Sequence, residues 1–268
     1  MSSTTKALEL LSFFSTTRPE MGLSQLCRLA GRNKTTTYRN LQALKKNGFI
    51  EQDPTSRHYR LGPVVMQLAQ VREATVPRKK TALNSIRRLA GVTGETAHVT
   101  VLSGNTLYGL CECESPLYGI RAVIDINTFP LHATASGLCA LAFGPTELFD
   151  IAIQELPRYT STTPRTKEEL SNTVSEVAQT GFGRAKKTFE DEIEGIAVPV
   201  FDQTGQYAGS VAIACVASRF DCNSEHTIKT ELVLAAHEIS RNWGGRIPSH
   251  IEATWTQSLS TSDILEPE

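Results

Sequence analysis

The chain is expected to be an α+β protein: an N-terminal winged helix-turn-helix and a C-terminal α+β domain, an antiparallel sheet with flanking helices, joined by a linker helix. Three observations lead there. At 268 residues the chain has room for two domains. Its first 62 residues carry ten Lys and Arg against four Asp and Glu, net +6, while the whole chain is −1, so residues 63–268 carry −7. Short amphipathic periods punctuated by glycine then give way to strands in runs with helices between the runs.

The head is organised around residues 33–48. Thr37, Leu41 and Leu44 recur at i, i+4, i+7 and mark one buried helix face, while Lys34, Thr35, Tyr38, Arg39 and Gln42 fall elsewhere. Asn33 suits an N-cap and Gly48 a C-terminal cap. Before it, residues 4–16 carry a broad apolar face, residues 18–22 a turn, and Leu23, Leu26 and Leu29 a second short helix closed by Gly31. Two short helices joined by a glycine turn form the helix-turn-helix pattern. Residues 49–52, Asp53-Pro54-Thr55-Ser56 and residues 57–61 then read as strand, turn and strand, a wing with Arg57 and His58 near its tip. The positive head is the footprint of a protein that binds a polyanion, and hydroxyls, amides and cations on one helix are groups that contact phosphates and base edges.

Residues 63–75 are expected to form a linker helix that Val76-Pro77 breaks, and residues 81–91 a helix of the second domain. Strands follow over 97–102, 106–112, 119–126, 181–188, 195–201 and 207–216, with helices over 135–143, 146–155, 166–180 and 223–243. The polar tail is expected to be flexible. Residues 133–137 are a run of small residues opening a helix, whose N–H groups and dipole suit an anion; close helix–sheet packing demands small residues equally.

The residues Lys6-Ala7-Leu8-Glu9-Leu10-Leu11, Leu23-Ser24-Gln25-Leu26, residues 34–41, Gly48-Phe49-Ile50 and Tyr59-Arg60-Leu61-Gly62 together resemble the winged helix-turn-helix of IclR-family transcriptional regulators. Pro130-Leu131-His132-Ala133-Thr134-Ala135-Ser136-Gly137, Gly181-Phe182, residues 195–202 and residues 209–214 resemble that family's effector-binding domain, so the likeness covers roughly residues 4–244. It implies a head at 1–62, a linker helix at 63–76, an effector-binding and oligomerisation domain at 77–246 and a flexible tail at 247–268. It further implies a double-stranded DNA operator, a small-molecule effector, a homodimer or dimer of dimers, and no enzymatic activity or cofactor. DNA contacts are expected from Arg32, Lys34, Thr35, Thr36, Tyr38, Arg39 and Arg57. By position, the effector pocket takes in Thr134, Ala135, Ser136, Gly137, Ala185, Ile193, Gly195, Ala212 and Ala214.

The chain departs from the family where Arg184-Ala185-Lys186-Lys187 stands in place of an acidic stretch and where Gly195, Ala212 and Ala214 leave small walls. Lys186 and Lys187 alternate on a strand, so only one can face inward; a roomier pocket with Lys187 pairing the ligand points to a carboxylic acid larger than two or three carbons, against the plainer reading that both lysines are solvated. Cys111 and Cys113 share a strand face and with His98 or His132 offer zinc chemistry, against the plainer reading of core thiols. A metal or thiol sensor, or a small-molecule enzyme with a DNA-binding head, is therefore the alternative. Ser136 lacks a nucleophile elbow, because Thr134 replaces its first glycine. No signal peptide or membrane-spanning stretch is evident, so a cytoplasmic location is expected and no membrane partner.

Overall fold

The computed structural model describes residues 2–15, 18–123 and 129–262. The chain divides into two compact units, Met1–Pro77 and Arg78–Glu268.

In the first unit, α1 (Ser3–Leu11) is followed by β1 (Glu20–Met21), α2 (Leu23–Ala30), α3 (Lys34–Lys46), β2 (Ile50–Gln52), β3 (Tyr59–Leu61) and α4 (Pro63–Thr75). Helix α1 ends earlier than the periodicity suggests. The Ser12 hydroxyl donates to the Glu9 carbonyl and the Arg18 guanidinium to the Phe13 carbonyl, 3.1 Å away, so side chains take over carbonyls that a longer helix would use. The rest of that expected span, Thr16, lies outside the described residues. Gly31 closes α2 in the left-handed region, φ 58°. Asn33 caps α3, its Oδ1 accepting from the Thr36 N–H at 2.9 Å. Leu10, Met21, Leu26, Leu41, Leu44, Ile50 and Tyr59 form this unit's core. The wing is a three-stranded antiparallel sheet, because β1 joins the two strands the sequence foretells. No residue of α4 is buried, and Met66, Leu68 and Val71 are exposed along it.

The second unit begins with α5 (Arg78–Thr93), β4 (Thr96–Ser103) and β5 (Thr106–Cys113). It continues through α6 (Ala135–Phe143), α7 (Glu147–Ala152), α8 (Lys167–Thr180), β6 (Gly183–Lys186), β7 (Ile193–Phe201), β8 (Tyr207–Val216), α9 (Cys222–Asn242) and α10 (Ser249–Ser262). One five-stranded antiparallel sheet, in the order β5-β4-β8-β7-β6, carries helices on both faces. Alternation along the strands sorts the two cores. Ile196, Val198, Val200, Val211 and Ile213 meet α5 and α9 on one face, while Ala185, Ala197 and Ala212 meet α6 and α8 on the other. The second face is small by composition, and that lets α6 lie close. A Cβ on Gly183 would stand 2.4 Å from the Ala135 carbonyl oxygen and 2.7 Å from Cys139 Sγ.

Two expectations fail here. Residues 119–123 form no strand, and 124–126 lie outside the described residues. Side chains take carbonyls that a ladder would use: Thr96 Oγ1 donates to the Ala122 carbonyl at 2.8 Å and the Arg219 guanidinium to that of Ile120 at 3.1 Å. The expected flexible tail is instead α10 up to Ser262. Ile247, Ile251, Trp255 and Leu259, four residues apart, lay an apolar stripe on the core under a polar composition. Trp255 is 1% exposed and its indole N–H donates to the Gly181 carbonyl at 2.8 Å. Trp255→Ala is expected to cost about 3–5 kcal/mol, read as a fall in the urea midpoint of the effector-domain transition; an unchanged midpoint would return the segment to a loose tail.

Candidate functional site

Two places gather functional groups, one in each unit. In the first, α3, the start of α2 and the wing enclose a groove lined by Lys34, Tyr38 and Arg57, together with Gln25, Arg28, Gln52 and His58. Lys34, Thr35, Arg39 and Arg57 are exposed, Tyr38 is 47% exposed and Thr36 is half-buried. The wing turn is built by Asp53, whose carboxylate accepts from the Ser56 and Thr55 backbone N–H groups at 2.7 and 2.9 Å. Those bonds hold the Asp53 carboxyl below its usual range. The turn sets Arg57 in the left-handed region, φ 62°, with its side chain in solvent. A non-glycine residue there is uncommon and clusters at functional turns.

Arg32 departs from its expected role. Its guanidinium pairs with Glu9 and donates to the Lys6 carbonyl at 3.1 Å, so it ties the start of α3 to α1. His58 stands at the wing tip as the sequence suggests, while Gln25, Arg28 and Gln52 join the groove from α2 and β2, off the helix that carries the clearest sequence signal.

In the second unit, the N-terminus of α6 opens into a cavity of about 80 Å³, room for several waters or a small organic molecule. Thr134 caps the helix: its hydroxyl donates to the Pro130 carbonyl at 3.0 Å and accepts from the Gly137 N–H at 3.1 Å. Ala135 and Ser136, the first helical residues, have N–H groups with no intrahelical acceptor. Both line the cavity, as do Thr134, Ala185, Ile193, Gly195 and Ala214.

Three expected pocket residues do not line it. Gly137 is a packing residue, for a Cβ there would lie 2.5 Å from the Pro130 carbonyl oxygen. Ala212 is fully buried in the core beneath α6. Lys187 is exposed. Strand β6 ends at Lys186, so the alternation that would turn Lys187 inward stops one residue short. The Thr160 and Thr162 hydroxyls donate to its carbonyl at 2.7 and 2.8 Å and hold it left-handed, φ 59°.

Other lining residues fall outside the sequence expectation: His98, Ala122, Val123, Phe129, Ala133, Phe189, Glu190 and Ile213. In the sequence His98 stands out only as a candidate metal ligand. The signal lay in its place, a lone imidazole on a strand otherwise apolar at Ala97 and Val99, paired across the sheet with Ala212. It is buried, its ring lies 5.4 Å from that of Phe129, its Nε2 is 3.4 Å from Ser136 Oγ, and its Nδ1 has no hydrogen-bond partner among the described residues. Burial pushes its pKa down to about 4, so the imidazole is neutral near pH 7. A Ser–His pair without an orienting carboxylate, whose base has so low a pKa, is poorly equipped to activate a hydroxyl. Cys111 and Cys113 both pack with the core, and among the described residues no three His, Cys, Asp or Glu side chains gather as a metal would require. No helix among the described residues is long and apolar enough to cross a membrane.

A basic winged helix-turn-helix followed by a separate domain with a small-molecule cavity defines a ligand-responsive DNA-binding regulator. The family model for the bacterial transcriptional regulator IclR C-terminal domain matches residues 75–241, and that for the IclR helix-turn-helix domain matches residues 3–54. The chain belongs to the IclR family of transcriptional regulators. It is 30% identical over 247 residues to the HTH-type transcriptional regulator KdgR of Dickeya chrysanthemi, covering 91% of this chain and 80% of that one. The crystal structure of an IclR-type regulator from Silicibacter sp. TM1040 superposes with a TM-score of 0.88 at 34% identity, covering 92% of this chain and 98% of that one. An IclR homologue from Microbacterium hydrocarbonoxydans, solved in complex with 4-hydroxybenzoate, shares the fold with a TM-score of 0.71 at 23% identity, covering 90% of this chain and 99% of that one.

The site geometry separates Arg32 from the exposed cations of α3. Arg32→Ala is expected to lower the stability of the head by about 1–3 kcal/mol, seen as a lower unfolding midpoint, whereas Arg39→Ala leaves that midpoint within about 0.5 kcal/mol. Equal midpoints for the two variants would contradict the structural role given to Arg32.

Proposed function

We propose that this regulator answers to a small carboxylic acid bound at the N-terminus of α6. One observation carries the reading: Ala135 and Ser136, the first helical residues, whose N–H groups lack intrahelical acceptors, line the cavity. Helix N-termini favour anions through these groups and the helix dipole. The complex with 4-hydroxybenzoate, an organic acid, is consistent with a fold that accepts such a ligand. Lys187, exposed, is not the counter-charge.

On the DNA side, α3 is the element that enters the major groove. Thr35, Thr36, Tyr38 and Arg39 contact bases or phosphates, and Lys34 and Arg57 grip the backbone from helix and wing. Two copies act together, with the exposed Met66, Leu68 and Val71 of α4 as apolar surface for pairing. A dimer on a two-fold site is the geometry that helix-turn-helix proteins use. The acid alters DNA binding only by binding two arrangements of the dimer unequally.

Thermal-shift titration with benzoate tests the pocket. Native-state binding raises the midpoint with concentration. Ala135→Leu, which adds bulk to the cavity wall, is expected to abolish the shift, and Lys187→Ala to preserve it. A shift that survives Ala135→Leu, or is lost in Lys187→Ala, would place the acid elsewhere.

A further inference from the structure

The cavity carries information beyond its affinity for an acid. Its polar groups are a matched set for one negative charge: two helix N–H groups, the Ser136 hydroxyl and His98. Among the described residues, no Lys or Arg lines it. The one charged residue among the described ones on its wall is acidic, Glu190. Its remaining surface is apolar and partly aromatic, with Phe129, Phe189 and Ile193 facing the space. Phe189 is held in place from behind, edge-on to Tyr159 at 4.9 Å. The Thr163 hydroxyl fixes the preceding turn by donating to the Thr188 carbonyl at 2.7 Å, and the Thr188 hydroxyl donates to that of Ala133, also at 2.7 Å.

From this we infer that the pocket selects an acid with a single carboxylate on an aromatic body, and rejects the same body carrying a second carboxylate. The inference rests on the acid-effector reading above. The first carboxylate exchanges its water for the N–H groups of Ala135 and Ser136 and the Ser136 hydroxyl. His98 supports that hydroxyl: with its proton on Nε2 the imidazole donates to Ser136 Oγ, which frees the Ser136 proton for the ligand. Because the buried imidazole is neutral, it supplies a hydrogen bond and no counter-charge. The ring of the ligand meets Phe129 and Phe189, where offset or edge-on aromatic contacts are favourable. A second carboxylate would leave water for an apolar wall with no cation to pair it, a transfer that costs several kcal/mol unless compensated. Glu190 adds repulsion of the same sign.

The test separates charge from size. The full-length protein is titrated calorimetrically with benzoate, terephthalate and 4-carbamoylbenzoate. The last two have nearly the same shape and differ by one charge. Benzoate and 4-carbamoylbenzoate are expected to bind, with terephthalate weaker than 4-carbamoylbenzoate by about tenfold or more. Glu190→Lys, at an exposed position, is expected to recover at least about threefold of that gap. Terephthalate and 4-carbamoylbenzoate binding alike would overturn the charge rule while leaving an acid pocket in place. A gap unchanged in Glu190→Lys would overturn the part assigned to Glu190. Binding of none of the three would overturn the acid-effector reading and this inference with it.

Discussion

The close approach of α6 to a sheet face of small residues is the constraint on which the effector domain depends. Gly183 lies under the Ala135 carbonyl, Gly195 would put a Cβ 3.3 Å from that of Ala135, and Ala185, Ala197 and Ala212 keep the face low. Cys139, fully buried, donates its thiol to the Ala197 carbonyl at 3.3 Å, and burial pushes its pKa up to about 12, so it acts as a neutral packing group. The same closeness brings the first turn of α6 over β6–β8 and β4. Ala135 and Ser136, at the helix N-terminus, therefore line a protein-walled cavity, where electrostatic interactions are stronger than in bulk water. Packing and binding are thus two consequences of one run of small residues, which a sequence reader meets as rival explanations.

That rivalry explains what the sequence did and did not make legible. The head was readable because its signals are local: Asn33 caps, Gly31 stops, and Thr37, Leu41 and Leu44 repeat on one face. The antiparallel sheet and flanking helices were readable from period and turns. The misreadings came where side chains replaced backbone partners or where a sparse apolar stripe was diluted by polar residues. Residues 119–123 carry strand-forming side chains, yet Thr96 and Arg219 claim their carbonyls from a distance in sequence. Ile247, just before α10, and Ile251, Trp255 and Leu259 on it are four apolar positions in a polar stretch, and only the core they meet reveals the stripe. At the site, Ala135, Ser136, Ala185, Ile193, Gly195 and Ala214 line the cavity where family position put them. Lys187 failed because its turn is set by the Thr160 and Thr162 hydroxyls, some 25 residues upstream. His98 escaped because a lone histidine on a buried strand reads equally as core.

The charge distribution assigns the two units their partners. A head at net +6 meets polyanionic DNA, while the remainder at −7 does not compete for it. The α6 cavity lies in the negative part, so the long-range field works against the acidic ligand proposed for it. Capture of such an acid would depend on short-range groups: the helix N-terminus, a hydroxyl and a neutral imidazole. This is a reason to expect an effector recognised by fit and hydrogen bonds more than by charge.

If occupancy of the α6 cavity governs the hold on DNA, the dissociation constant for DNA from upstream of the protein's own gene differs with and without a saturating acid that binds the cavity. The expected change is about fivefold or more, in either direction, half-complete near the acid's own dissociation constant. An acid that saturates the cavity while the DNA dissociation constant stays the same would contradict that coupling.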